Sequence, residues 1–533
     1  MTSSVASALK ERTESAQETQ EETTVMTARR PGRRAVMVSA VLTQLMIVLD
    51  LTIIAIALPR MQDDLGMTVS QSPWTVTGYS LAFGGLVLFG GRLCAVVGIR
   101  HSYQVGLIGF GVASLAAGMA TSFPILLVAR VAQGCFGALL APTSQSLLNV
   151  TFTERTERER VFAIFGATGG LGAAVGLLVG GALTDWISWR WALYINILLA
   201  TAALLIGQRS LPPADQRDRG SRITDDLTGL VLGCGACFSA VYGLDRAQQT
   251  SWTSTSTVSW LALGGIAAVL FVVRERFANR PVLPLSMMAL PVRAASYATQ
   301  FIAGAAQMGA IIYLTYYMQN HFGYSPFKSG VVFLPMVLSL IATAIPAGRV
   351  IVPRLGARGT LPLGLAVLTG SFLIFSRMTT QSSYSQVALP GLIVFGIGLG
   401  LTMPVTFNSG TRGVDAKRTG LASAILSAAQ QIGGSFGVAL MTSYATQHAE
   451  DYVADHTEEV RAAAMEAMMR ARALPQSPAG KQIIEALKAQ LIDRARIEAY
   501  AGGFTMMAWI LAGAAALLVA CGIGLSLRRR RTR

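Results

Sequence analysis

The amino-acid sequence predicts an all-α integral membrane protein of fourteen transmembrane helices, grouped as six, two and six. Three observations carry that reading. First, 52% of the 533 residues are hydrophobic and only 13% are charged, with 54 glycines and a mean hydropathy of +0.50, a balance typical of membrane chains. Second, apolar segments of the length needed to cross a bilayer core, about 20 residues each, begin near residues 35, 73, 102, 124, 161, 189, 226, 257, 294, 328, 358, 386, 419 and 502. Third, arginines fall in alternate loops: Arg92 and Arg100, Arg155 to Arg160, Arg217 to Arg222, Arg274 to Arg293, Arg349 to Arg358, and Arg412 to Arg418. This is the positive-inside pattern, and with an even helix count it places both termini in the cytoplasm.

The same distribution argues against nucleic acid as the reason for the net charge of +15. Five cysteines are too few and odd in number for a disulfide framework. Cys234 and Cys237 lie inside an apolar run without a second ligand pair, so they read as small packing residues and no metal site is expected. The four histidines fall in loops or at helix ends, which leaves a histidine relay in the membrane without candidates. The chain contains no G-x-x-x-x-G-K-[ST] phosphate loop, so neither ATP nor another cofactor is expected.

Residues 1–34 are polar and lack apolar clustering, predicting a disordered cytoplasmic tail. Residues 35–208 form the first six-helix bundle. Its first segment, LDLTIIAIALP, holds Asp50 within apolar surroundings, where a carboxylate costs about 2.5 to 3.5 kcal/mol on insertion scales. The protonated form escapes most of that cost, so the position suits proton handling; a structural acid paired to a donor is the other reading. Thr43 lies seven residues earlier on the same helical face. The second segment ends in GRLCAVVGIRH, a tight turn carrying Gly91, Arg92, Gly98 and Arg100.

The fourth segment, LLVARVAQGCFGALLAP, sets Arg130, Gln133, Gly134 and Gly137 on one face at i, i+3, i+4 and i+7. A guanidinium cannot shed its proton, so Arg130 must be paired or face a wet cavity; it serves coupling or braces helices through carbonyls. In the fifth segment, AIFGATGGLGAAVGLLVGG, Gly172, Gly176 and Gly180 repeat at i, i+4 and i+8, with Gly181 beside them. Each glycine costs about 1 kcal/mol in a soluble helix, and close packing against another membrane helix supplies the compensation.

Residues 209–293 read as a two-helix insert with basic flanks, and residues 294–527 as the second bundle. VVGIRHSYQVGL can be laid on PRLGARGTLPLGL, matching Gly98 with Gly356 and Arg100 with Arg358 between equivalent helices of the two bundles. Transporters built from such halves place substrate between them. Gln307, Met308, Tyr313, Tyr316 and Tyr317, with Thr43 and Gln133, form the expected substrate lining, or else a packing stripe. Residues 448–500 are expected as an external segment with two amphipathic helices, and 528–533 as a basic cytoplasmic tail.

Taken together, LDLTIIAIALP, WTVTGYSLA, RVAQGCFGALLAP, GLGAAVGLLVGG, YMQNHFGYSP and GLASAILSAAQQIGGSFG resemble the motifs of the major facilitator superfamily, specifically its 14-helix drug:proton antiporters. The likeness spans roughly residues 35–527. It implies a monomeric exporter of small hydrophobic or amphiphilic compounds in a bacterial plasma membrane, driven by protons through Asp50 and Arg130. It further implies that Gly172, Gly176, Gly180 and Gly181 form the antiporter motif that seals and flexes the contact between halves. Three positions depart from the family pattern: Leu177 where a proline is usual, and Ala95 and Pro353 where an acid latches the cytoplasmic side. That latch is then expected from Arg92 and Arg100, or from the acids of TERTERER. A nutrient or siderophore importer or uniporter on the same scaffold is the alternative, and a membrane enzyme or sensor the remote one, since no catalytic motif is present.

Overall fold

The computed structural model describes residues 30–67, 71, 74–208, 210–211, 226–278, 290–414, 419–470 and 477–531. Residues 1–29 of the expected tail at 1–34, most of the linker at 209–225, the basic stretch at 279–289, and Lys417 and Arg418 lie outside the described residues, while residues 30–34 of that tail already belong to the first helix. The helices in chain order are α1 (Arg30–Asp64), α2 (Trp74–Val97), α3 (Ile99–Gly118), α4 (Phe123–Thr151), α5 (Arg155–Trp186), α6 (Trp189–Gly207), α7 (Leu227–Gln249) and α8 (Thr255–Phe277). They continue as α9 (Pro291–Tyr316), α10 (Pro326–Val332), α11 (Leu334–Pro346), α12 (Val352–Phe375), α13 (Leu389–Thr411), α14 (Thr419–Arg470) and α15 (Pro478–Arg531). Among the described residues no strand occurs, and eleven helical stretches are long and apolar enough to cross a membrane.

Helix starts follow local chemistry. Ser188, Asp226, Ser254 and Ser325 each accept a hydrogen bond from a backbone N–H in the first turn, satisfying donors that a helix leaves free. Pro326 follows Ser325 at the first position of α10, where its missing N–H costs nothing.

The two bundles repeat one packing plan. In the first, α1 lies on α5, α2 and α3 on α4, and α3 on α6; in the second, α9 lies on α14, α11 and α12 on α13, and α12 on α15. The turns proposed as internal repeats share a backbone conformation as well. Gly98 has φ 95° and ψ 152°, and Gly356, which breaks α12 near its start, has φ 65° and ψ 172°. That region is essentially restricted to glycine, and other residues there cost about 1–3 kcal/mol. A Cβ at Gly356 would meet nothing within 4 Å, so its strain is all backbone. Gly98→Ala and Gly356→Ala are each expected to destabilise by about 1–3 kcal/mol, read as a lowered Tm of the detergent-purified protein.

The insert is not a detached appendage. Helix α7 packs on α2 and on α14, covering the line where the bundles meet. Cys237 is buried there with Leu88 and Ala424, a packing role. On the other side, α5 runs between the bundles and touches α10, α11 and α13. The segment 448–500 is taken up as extensions of α14 and α15, apart from 471–476, rather than as separate amphipathic helices. A His321 to Asp493 contact of 3.0 Å ties the turn after α9 to the α15 extension.

At the end opposite the Gly98 and Gly356 turns, Arg190 donates to Asp64 and to the Ala120 carbonyl. These bonds join α1, the connection after α3, and α6. The Arg190 hydrogen bond, followed by that from Trp189, holds the Asp64 carboxyl below the usual carboxylate range.

Candidate functional site

Asp50 and Arg130 come together in the middle of the first bundle. Arg130 Nη1 donates to Asp50 Oδ2 at 2.6 Å, with both side chains fully removed from solvent. Five further residues complete the site. Gln133 Nε2 donates to Asp50 Oδ1 at 3.2 Å and to Ser114 Oγ at 2.7 Å, while Gln133 Oε1 accepts from Arg130 Nη1 at 2.9 Å. Asn196 Nδ2 of α6 donates to Asp50 Oδ1 at 2.6 Å. Arg130 Nε donates to the Thr75 carbonyl at 3.0 Å, and its guanidinium stacks 4.6 Å from the Tyr79 ring centroid.

Each helix contributes for a local reason. The i, i+3 spacing of Arg130 and Gln133 on α4 turns both toward α1, and Gly134 on the same face lets α4 approach the Tyr79 backbone of α2. A buried carboxylate and guanidinium are tolerable only when paired and hydrogen-bonded, and both oxygens of Asp50 are satisfied. Four buried polar atoms around the pair have no partner: Arg130 Nη2, Tyr79 OH, Thr75 Oγ1 and Asn196 Oδ1. A network with open positions on both donor and acceptor sides can be rewired without first breaking every bond.

The glycine helix packs directly on the helix that carries Asp50. A Cβ at Gly172 would lie 3.1 Å from Val48 Cβ, one at Gly180 2.9 Å from Ile53 Cγ1, and one at Gly176 would overlap Thr52 Oγ1 and reach 3.3 Å from the Leu49 carbonyl. Gly181 is also buried. The side chain at Leu177 lies outside the described residues.

The expected substrate lining is not gathered into one place. Thr43 Oγ1 meets the Tyr103 hydroxyl at 2.6 Å, and Gln133 belongs to the Asp50 network. Gln307 is buried and Met308 half-buried near Gly434. Tyr313 donates to Thr442, Tyr317 donates to the Thr379 carbonyl, and Tyr316 is 49% exposed. The α9 stripe therefore packs on the second bundle's own helices.

At the arginine-rich end, Gly91 is buried and Arg92 half-buried. Arg100 donates to the Gln208 carbonyl at 3.4 Å, and Glu157 of TERTERER pairs with Arg33 at 3.1 Å. Both of these contacts stay within the first bundle. Two uncharged bonds cross between the bundles here: Gln145 Nε2 to Ser427 Oγ at 3.2 Å and Thr411 Oγ1 to Asn149 Oδ1 at 3.4 Å. Around them Leu148, Phe152, Phe162, Phe165, Tyr297, Phe407 and Leu426 form one apolar cluster drawn from both bundles.

Sequence reasoning missed Asn196, Ser114 and Tyr79, and it missed the crossing pair Gln145 and Ser427. A signal for Asn196 existed, since one amide in the apolar run ALYINILLA is costly in a bilayer without a partner.

Known proteins agree with this architecture. The chain is 39% identical over 416 residues to a puromycin resistance protein of Streptomyces alboniger, covering 78% of this chain and 82% of that one. It is 33% identical over 406 residues to a cephamycin export protein of Amycolatopsis lactamdurans, covering 76% and 83%. Among solved structures, the human organic anion transporter MFSD10 superposes with a TM-score of 0.56 at 13% identity, over 90% of this chain and 99% of that one. The sequence signature of the Major Facilitator Superfamily matches residues 40–438, and the chain is a multi-pass membrane protein that belongs to that family.

Proposed function

We propose that this protein exports small hydrophobic or amphiphilic compounds, antibiotics among them, in exchange for protons, with fourteen crossings and both termini in the cytoplasm. The observation that carries the coupling is the buried Asp50–Arg130 pair with its two amide donors. The relatives named for puromycin resistance and cephamycin export support the direction and substrate class. The count of fourteen is supported by α3 and α5 packing among the apolar spans, and by the break at Gly356 that divides the stretch from Phe327 to Phe375.

The electrostatics supply a mechanism. While Asp50 is ionised, Arg130 is neutralised and the network is closed. Protonating Asp50 leaves a buried cation without a counter-charge, an arrangement that costs about 3–5 kcal/mol when a pair is broken. Arg130 then moves toward the open positions at Tyr79 and Thr75, and α1 shifts against the glycine face of α5. One proton crossing 100 mV supplies about 2.3 kcal/mol, enough for roughly a 50-fold gradient of a neutral solute.

The neutral crossing bonds close the arginine-rich end in place of the acid latch that Ala95 and Pro353 lack. Gln145→Leu with Ser427→Ala is expected to shift that end toward open, seen as a longer distance between spin labels on α4 and α14. An unchanged distance distribution would contradict that role for the pair.

The whole reading is tested by expressing the chain in a pump-deficient bacterial host. Raised inhibitory concentrations of puromycin or related antibiotics are expected. Accumulation of those compounds above the empty-vector level would favour an importer.

A further inference from the structure

We propose that Asn196 is the positioning residue that lets Asp50 gain and lose its proton: its amide donates to the carboxylate and, turned end for end, accepts from the carboxylic acid. The inference rests on the proton-coupling reading above and specifies where on Asp50 the proton sits.

The two carboxylate oxygens are not equivalent. Oδ2 faces Arg130 Nη1 at 2.6 Å, a donor that keeps its hydrogens at any accessible pH, so a proton on Oδ2 would meet another proton. Oδ1 faces two amides, Asn196 Nδ2 at 2.6 Å and Gln133 Nε2 at 3.2 Å. A proton on Oδ1 needs one of them to present its oxygen instead.

Gln133 is committed at both ends. Its Oε1 accepts from Arg130 and its Nε2 also donates to Ser114, so turning that amide breaks two further bonds. Asn196 is not committed. Its Oδ1 is buried and has no partner, and rotation about the last side-chain bond is broad and roughly two-fold. Half a turn exchanges Oδ1 for Nδ2 beside Asp50 and reverses the same hydrogen bond while breaking no other.

The balance of the step is simple. An O–H bond forms at Asp50 Oδ1 as one breaks in a hydronium ion, leaving water, and Asn196 Oδ1 accepts the new hydrogen. Release to water on the other side runs the sequence backward. Among the described residues, the titratable groups facing Asp50 are Arg130 of α4 and Tyr79 of α2. The other packed helices present Ser114 of α3, glycines of α5 and Asn196 of α6.

The test needs no substrate. Infrared difference spectra of the purified protein follow the carboxylic C=O band through a pH titration, and its loss in Asp50→Asn assigns it. Asn196→Leu removes both donor and acceptor but risks the fold, so the matched pair Asn196→Thr and Asn196→Val is decisive, because the two differ in little beyond the hydroxyl. The bond to the charged form is the stronger of the two that Asn196 makes. Its loss in the Val variant is expected to move the midpoint to higher pH by about one unit, a tenfold change in proton affinity, while Thr stays near wild type. Equal midpoints for Thr and Val would overturn the inference alone. A wild-type protein without any band that Asp50→Asn removes would overturn the coupling reading beneath it.

Discussion

Asp50→Asn is expected to abolish proton-driven export while substrate still binds. The amide keeps the size of the carboxyl but is always neutral, so it holds the site in the arrangement of protonated Asp50 and cannot alternate between charged and neutral forms. The loss is the whole proton contribution, about 2.3 kcal/mol per 100 mV, or roughly 50-fold in the gradient sustained. In the pump-deficient host, resistance should fall to that of the host alone, while a labelled antibiotic still binds to the purified variant. Arg130→Lys is a weaker version of the same lesion, since lysine keeps the charge but not the fork that reaches Asp50, Gln133 and Thr75 together.

Gly176→Leu should be as damaging by a different route. Even a Cβ at this position overlaps Thr52 Oγ1, with the Leu49 carbonyl behind it at 3.3 Å, so the whole isobutyl group has nowhere to go. Overpacking of this kind costs about 1–3 kcal/mol where side chains can yield, and here part of the obstacle is backbone. The variant is expected to insert at wild-type abundance and to lose transport, because α5 can no longer approach α1 beside Asp50. Wild-type resistance from Gly176→Leu would return the glycine stretch to ordinary packing.

Much of this arrangement was legible in the sequence, for physical reasons that can be traced. A carboxylate and a guanidinium placed deep in apolar helices each need a partner or water, so the sequence singled out Asp50 and Arg130 while leaving their partners open, and the structure pairs them with each other. The glycines of α5 were spaced by the helical repeat, which fixed the face they leave bare. Gly98 and Gly356 stood out because a short repeat matched them, and both adopt backbone angles that other residues avoid.

What stayed hidden depends on neutral polar contacts between distant helices. Gln145 and Ser427 are 282 residues apart, and nothing in either segment specifies the other. Tyr313, Tyr316 and Tyr317 stayed ambiguous between pocket and packing for a related reason. Tyrosine and methionine at helical spacing serve a pocket and a packed core equally well, and only the positions of α14 and α15 decide between them. The continuation of α14 to Arg470 and the start of α15 at Pro478 were obscured because a charged, amphipathic continuation of a span reads as a loop with its own helices.

The central claim is that proton movement through Asp50 drives export, and everted membrane vesicles test it most directly. Vesicles from cells expressing the protein, acidified inside, should accumulate labelled puromycin. That accumulation should collapse when a protonophore removes the gradient, and it should be absent in Asp50→Asn vesicles. Accumulation that persists at wild-type level after the gradient is removed, or in the Asp50→Asn vesicles, would contradict the account.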